Sequence, residues 1–189
     1  MRALMLAAPA LLFLAACKED AADLPPPVEM TAEAVGYYCQ MDLTGHDGPK
    51  GQVQLEDMPS AMFFSQVRDT LAYLHMPEQN YAVTVAYVQD MSGDATWARP
   101  GPWIAAETAL YVIGSDVTGG MGAPEFVPFS DEAAARAFMA RHGGALRAYG
   151  TITAEEVLAP AYEAAEDAGT DGSDDISARL RALSNGRDG

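Results

Sequence analysis

Alternation and helical spacing together mark out an ordered region between about residues 35 and 160. Gln52-Val53-Gln54-Leu55 alternates polar and apolar, the two-residue period of a strand with one buried face. Phe64, Val67, Leu71 and Leu74 recur at i, i+3, i+7 and i+10, which is one face of a helix. The spacing therefore predicts a helix over 61–74, with Met62 and Phe63 flanking the stripe and Ser60 as its cap. Pro77 would end it, because the residue before a proline is pushed out of the helical region. Tyr81, Val83, Val85 and Tyr87 form the clearest alternation and predict a strand over 81–88. Further extended segments follow at 109–114 and 125–129. Ser130 is placed to cap a helix over 131–142, with acidic residues in its first turn and Arg141 and His142 in its last, both suited to the helix dipole. Gly143-Gly144 stops that helix, 146–152 reads as a last strand, and Thr153 with Glu156 resembles a capping box for a short helix.

Two stretches share an order of parts. His46-Asp47-Gly48-Pro49 precedes the strand to Leu55, then Glu56-Asp57 and a helix. Met121-Gly122-Ala123-Pro124 precedes the strand to Phe129, then Ser130-Asp131 and a helix. A further strand follows each. The pattern predicts an α+β fold of two related units, 35–90 and 91–160, each helix covering a small sheet. It makes His46 and Met121 equivalent loop positions that face each other. The loop 119–124 lacks both the Gly-Lys-Ser/Thr ending and the GxGxxG pattern of phosphate cradles.

The ends carry a different signature. Residues 1–16 hold Arg2 and an apolar run from Leu4 to Leu14, too short to span a bilayer as a mature helix. They finish Leu14-Ala15-Ala16-Cys17, which resembles a bacterial lipobox. That resemblance implies cleavage before Cys17 and lipid on it; an ordinary secretory signal cut after Ala16 is the alternative. Residues 17–34, with Pro25-Pro26-Pro27, read as a tether in extended polyproline geometry. Residues 161–189 are rich in Ala, Asp, Gly and Ser and read as a mobile acidic tail, with a transient helix at 176–183. The formal net charge of -16 argues against a nucleic-acid partner, because phosphate needs a basic footprint. It suits solubility, or an acidic face for a basic partner.

Cysteine usage brings in the chemistry. With Cys17 lipidated, Cys39 has no partner among the chain's 2 cysteines. A lone thiol outside the cytoplasm cross-links or oxidises unless it is buried or bound to a metal. Cys39 lies in Tyr37-Tyr38-Cys39-Gln40-Met41, followed at position 46 by His46. In an extended backbone, side chains at i and i+2 leave from one face, so Cys39 and Met41 would converge. Thiolate and thioether ligands select Cu(I). Met121, exposed by flanking glycines, is the third candidate ligand, and His46 a further one. A site of two or three ligands exchanges metal readily, which suits delivery. Met62 and Met139 read as core, while Met58, Met76 and Met91 near turns are candidates for a second ion; His75 and His142 read as surface residues. Two other classes stay open. One is a thiol-dependent enzyme acting through Cys39, which would need a resolving cysteine or an oriented base. The other is a structural lipoprotein with an intermolecular disulfide.

Tyr-Tyr-Cys39-Gln-Met41, the loop Gly-His46-Asp-Gly-Pro-Lys-Gly-Gln, Phe64-Ser-Gln-Val-Arg68-Asp, and Met121-Gly-Ala-Pro124-Glu with Pro128-Phe129-Ser130 resemble the NosL family. These are nitrous-oxide reductase accessory lipoproteins of denitrifying bacteria. The resemblance covers roughly residues 35–159 and includes the lipobox. It implies a periplasmic Cu(I) chaperone, not an enzyme, that feeds assembly of the reductase's copper-sulfide centre. It implies two partners, the reductase and a membrane ABC-type maturation complex, and attachment to the membrane through Cys17. It also implies two small ββαβ units similar to part of organomercurial lyase. Lys18 after the lipid-bearing residue leans toward the outer membrane by family habit. A homodimer sharing one ion stays open.

Overall fold

The computed structural model describes residues 24–76, 78 and 81–160. The expected signal peptide, Cys17 and the tail with its short helix lie outside the described residues. Among the described residues the chain forms two antiparallel sheets and three short α-helices. In the first, Gly51–Leu55 (β1) is flanked by Met62–Phe64 (β2) and Val83–Gln89 (β3), and Trp103–Ala105 (β4) adds an edge. Helix Val67–His75 (α1) connects β2 to β3. In the second, Leu110–Ser115 (β5) lies between Val127–Phe129 (β6) and Gly143–Ala148 (β7), with Glu132–His142 (α2) joining the two outer strands. Each unit is thus ββαβ, its first strand central. Ala154–Leu158 (α3) follows, held by the expected Thr153–Glu156 capping box.

The expected duplication is present in another register. β1 corresponds to β5, and β6, just after the Met121 loop, corresponds to β2. His46 and Met121 are therefore not equivalent positions. The register differs from Met62-Phe63-Phe64 onward, because these residues form a three-residue strand paired with β1 through Gly51↔Phe64 and Val53↔Met62. An unbroken apolar run has no period of its own, and Phe64 fell on the helical stripe by coincidence. Helix α1 consequently begins after Gln66 and owes nothing to Ser60. It packs so closely on β1 that a Cβ at Gly51 would collide with the Thr70 side chain.

The strand expected over 81–88 is β3, and the face it turns to the core carries Ala86 and Val88. Tyr87 pairs with Gln52 and Val85 with Gln54 on the opposite face of the sheet. The proline segment lies on that face. Gln52 donates to the carbonyl of Val28 and accepts from its amide, Gln54 donates to Pro26 O, and the Tyr87 hydroxyl donates to Pro25 O. That contact explains a glutamine with no exposed surface in a strand. The last strand ends at Ala148, and Tyr149–Thr151 is a 3-10 turn. Asp131, not Ser130, caps α2; Ser130 instead hydrogen-bonds Asp90.

Strand β5 faces two cores. Tyr111 joins Val53, Phe64, Leu71, Val88, Phe126 and Ile152 in a cluster drawn from both units. Its neighbour Val112 joins Val127, Phe129, Ala135 and Phe138 under α2. Each fully buried large apolar side chain contributes roughly 1.5–3 kcal/mol. The shared cluster therefore fixes one unit on the other, and with it the loops at their junction. Among the described residues no helix is long and apolar enough to cross a membrane.

Candidate metal site

The Cys39 segment is a tight turn, not the extended strand expected. Val35 and Asp42 bridge, the Gly36 amide donates to Met41 O (2.9 Å) and the Gln40 amide to Gly36 O (2.8 Å). Gln40 sits at φ 55, a left-handed conformation supported by its own side chain, which donates to Tyr37 O (2.7 Å). Cys39 and Met41 therefore do not leave one face of a pleated strand. Cys39 is a half-buried free thiol. Its sulfur lies over Gly36, where any Cβ would collide with it. Met41 leaves the turn 44% exposed.

The turn is fastened to β2. The Tyr37 amide donates to Phe63 O (2.7 Å), and the rings of Tyr37, Tyr38, Phe64 and Tyr73 pack with centroids 5.3–5.8 Å apart. The Tyr38 hydroxyl donates to Met76 Sδ (3.1 Å). Burial, reinforced by the negative charge of Asp69, pushes the Tyr38 phenol up to about 12.

Met121 reaches the same place from the β5–β6 connection. Thr118 bridges Pro124, the Gly119 amide donates to Ala123 O (2.8 Å), and Gly122 turns at φ 79. The loop lies flat on the junction between β2 and α1. A Cβ at Gly120 would stand 2.7 Å from Ser65 O and 2.9 Å from His46 Cβ. The Met121 amide donates to Gln66 Oε1 (3.2 Å). The His46 ring is held by the same loop, with Nδ1 2.9 Å from Gly120 O. A carbonyl only accepts, so Nδ1 is the donor in this contact. Lys50 fixes the His46 loop from beneath, donating to His46 O and Gly48 O at 2.6 Å each. Burial lowers the Lys50 pKa, against the opposing pull of Glu125 and Asp47.

Cys39 and Met121 line one open cavity of about 470 Å³, together with Tyr38, Gln66, Asp69 and Leu158. Neither Met41 nor His46 is among its lining residues; His46 is held to the Met121 loop through Gly120 O. A thiol and a thioether form a soft donor pair. Among the described residues no three His, Cys, Asp or Glu side chains gather as a metal cage. His142 bonds Asp116 (2.9 Å) at the far end of α2.

Three residues of the site lie in the stretches that carry the resemblance but were given no role from the sequence. Gln66 receives Met121. Arg68 is buried and donates to Val157 O and Ala159 O, holding the end of α3 at the cavity rim. Glu125 is fully buried, and its carboxylate accepts from the amides of Val67 (3.2 Å), Arg68 (2.9 Å) and Phe126 (2.9 Å). A lone acid entering the apolar run Phe126-Val127-Pro128-Phe129 was the available signal.

The sequence model of the NosL family matches residues 27–157. The chain is 50% identical, over 95% of its length and 93% of the relative's, to "Copper-binding lipoprotein NosL" of Achromobacter cycloclastes. It is 32% identical, over 67% of its length and 66% of the relative's, to the protein of that name from Stutzerimonas stutzeri. The structure matches the crystal structure of the copper chaperone NosL from Shewanella denitrificans with TM-score 0.63 and 33% identity, covering 68% of this chain and 98% of that one. On the sequence match, the shared identity and the fold together, the chain belongs to the NosL family.

Proposed function

We propose that this protein is a Cu(I) carrier that takes the metal between Cys39 and Met121, with Met41 and His46 at hand as exchange ligands. The observation that carries the reading is the cavity: a half-buried thiol and an exposed thioether from distant segments line it together. The thiolate supplies charge and the thioether a neutral soft donor, a pair that favours a monovalent ion over hard cations. Relatives named as copper-binding, and one as a copper chaperone, support the same reading. The cargo is metal and no reaction is catalysed. An open rim allows a partner's ligands to replace these one at a time.

The finer reading follows the resemblance. The protein is held in the periplasm by lipid on Cys17, leaning to the outer membrane. It delivers copper through an ABC-type membrane complex for the copper-sulfide centre of nitrous-oxide reductase. Relatives named as lipoproteins support the anchor.

Anaerobic titration of the reduced domain with Cu(I) against a competing chelator tests the carrier. One ion per protomer is expected, and Cys39→Ser should weaken binding more than about 100-fold, beyond the loss usual for outer-shell changes. A Cys39→Ser protein that binds Cu(I) like the wild type overturns the reading.

A further inference from the structure

Helix α1 has an unusual first turn. Its N-cap residue, Gln66, is extended and makes no capping bond with its own side chain. The first amides of a helix have no partner within it and need one from outside. Those of Val67 and Arg68 find the Glu125 carboxylate, which belongs to the other unit. The Gln66 side chain therefore bonds elsewhere. Its oxygen takes the Met121 amide, and its nitrogen binds Asp69 Oδ1 (2.9 Å). Gly119 closes the arrangement. A Cβ there would stand 2.5 Å from Glu125 Oε2 and 2.7 Å from both Gln66 Cβ and Gln66 Oε1. Four residues before Glu125 stands Met121; three residues before Gln66 stands Phe63, to which the Cys39 turn is hydrogen-bonded. Both candidate ligands hang from one short junction, and one acid from the opposite unit seals it.

We infer that Glu125 and Gln66 are positioning residues for the metal: they hold the Met121 loop against the start of α1 and so fix where Met121 meets the Cys39 turn. Neither is offered as a ligand. The inference rests on the proposed reading of Cys39 and Met121. It differs from simple fold maintenance in requiring that the effect pass through the Met121 side chain.

A double-mutant cycle separates the two. Cu(I) affinity is measured by chelator competition for Gln66→Ala and Glu125→Ala, each with Met121 present and with Met121→Leu, on protein shown to be folded by circular dichroism. With Met121 present, each substitution should weaken binding about 10-fold, the usual range for residues that orient ligands. In the Met121→Leu background the loss should shrink to about 2-fold or less, because the positioned ligand is gone. Glu125→Gln should recover most of the affinity, since Oε1 alone accepts two of the three amides. If Glu125→Ala does not fold, Gln66→Ala decides the matter alone. Equal losses in both backgrounds, no loss in either, or a Met121→Leu protein as tight as the wild type would overturn the inference. In each of those cases Cys39→Ser reports separately on the carrier reading.

Discussion

The two ββαβ units share a plan and differ at their helix starts. In the second unit α2 is self-sufficient: Asp131 caps it, accepting from the Ala134 amide at 2.7 Å. In the first unit α1 borrows its cap from Glu125 of the second. The connections differ as well. Strands β1 and β2 are joined by 56–61, whereas β5 and β6 are joined by 116–126, which carries Met121 and Glu125. The unit that bears Cys39 is therefore incomplete without its neighbour, and the dependence is located at the cavity. The two units supply two scaffolds, and the longer β5–β6 loop lies along their seam.

Breaking the borrowed cap should have the largest effect on stability. Glu125→Ala leaves the Val67 and Arg68 amides without partners inside the protein and is expected to cost about 3 kcal/mol. Chemical denaturation measures it. An equal, small cost for Glu125→Ala and Asp131→Ala would erase the contrast between the units. Because Glu125 is buried, its carboxyl is pushed up to about 8, although the three amides pull the other way. A raised carboxyl contributes stability that is complete below the ordinary value of 4.5 and lost as pH rises through about 8. The melting temperature should accordingly fall between about pH 5 and pH 8 and fall less in Glu125→Gln. A wild-type slope no steeper than that of Glu125→Gln would remove Glu125 as its source.

The same contrast explains what could be read from the chain. Helix α2 was legible with its boundaries nearly right because its signals are local: an acidic start, a basic end and a glycine stop. The start of α1 was not, because its cap lies in Glu125, far away in sequence. Asp131→Ala should cost about 1 kcal/mol, the ordinary loss of a side-chain cap. Cys39 and Met121 were legible as chemistry, from residue type and exposure. Their shared cavity was not derivable from spacing: the i, i+2 pairing pointed to Met41, and the supposed loop equivalence pointed to His46. His46 does meet the Met121 loop, through Gly120 O, but tertiary packing brings it there and symmetry does not.

The smallest effect concerns the outer face of the first sheet, where the second unit has no counterpart. Residues 17–34 read as a tether, and within it Pro25, Pro26 and Val28 are hydrogen-bonded to Tyr87, Gln54 and Gln52. Tyr87→Phe removes one of these bonds and keeps the ring, so about 0.5 kcal/mol is expected. Gln52→Ala removes both bonds to Val28, and amide exchange at Val28 should then speed up while exchange in β5 stays slow. Val28 protection that survives Gln52→Ala would mean the segment is held by packing alone. Protection lost in both variants would mean that the contact at Pro25 anchors the whole segment 25–28.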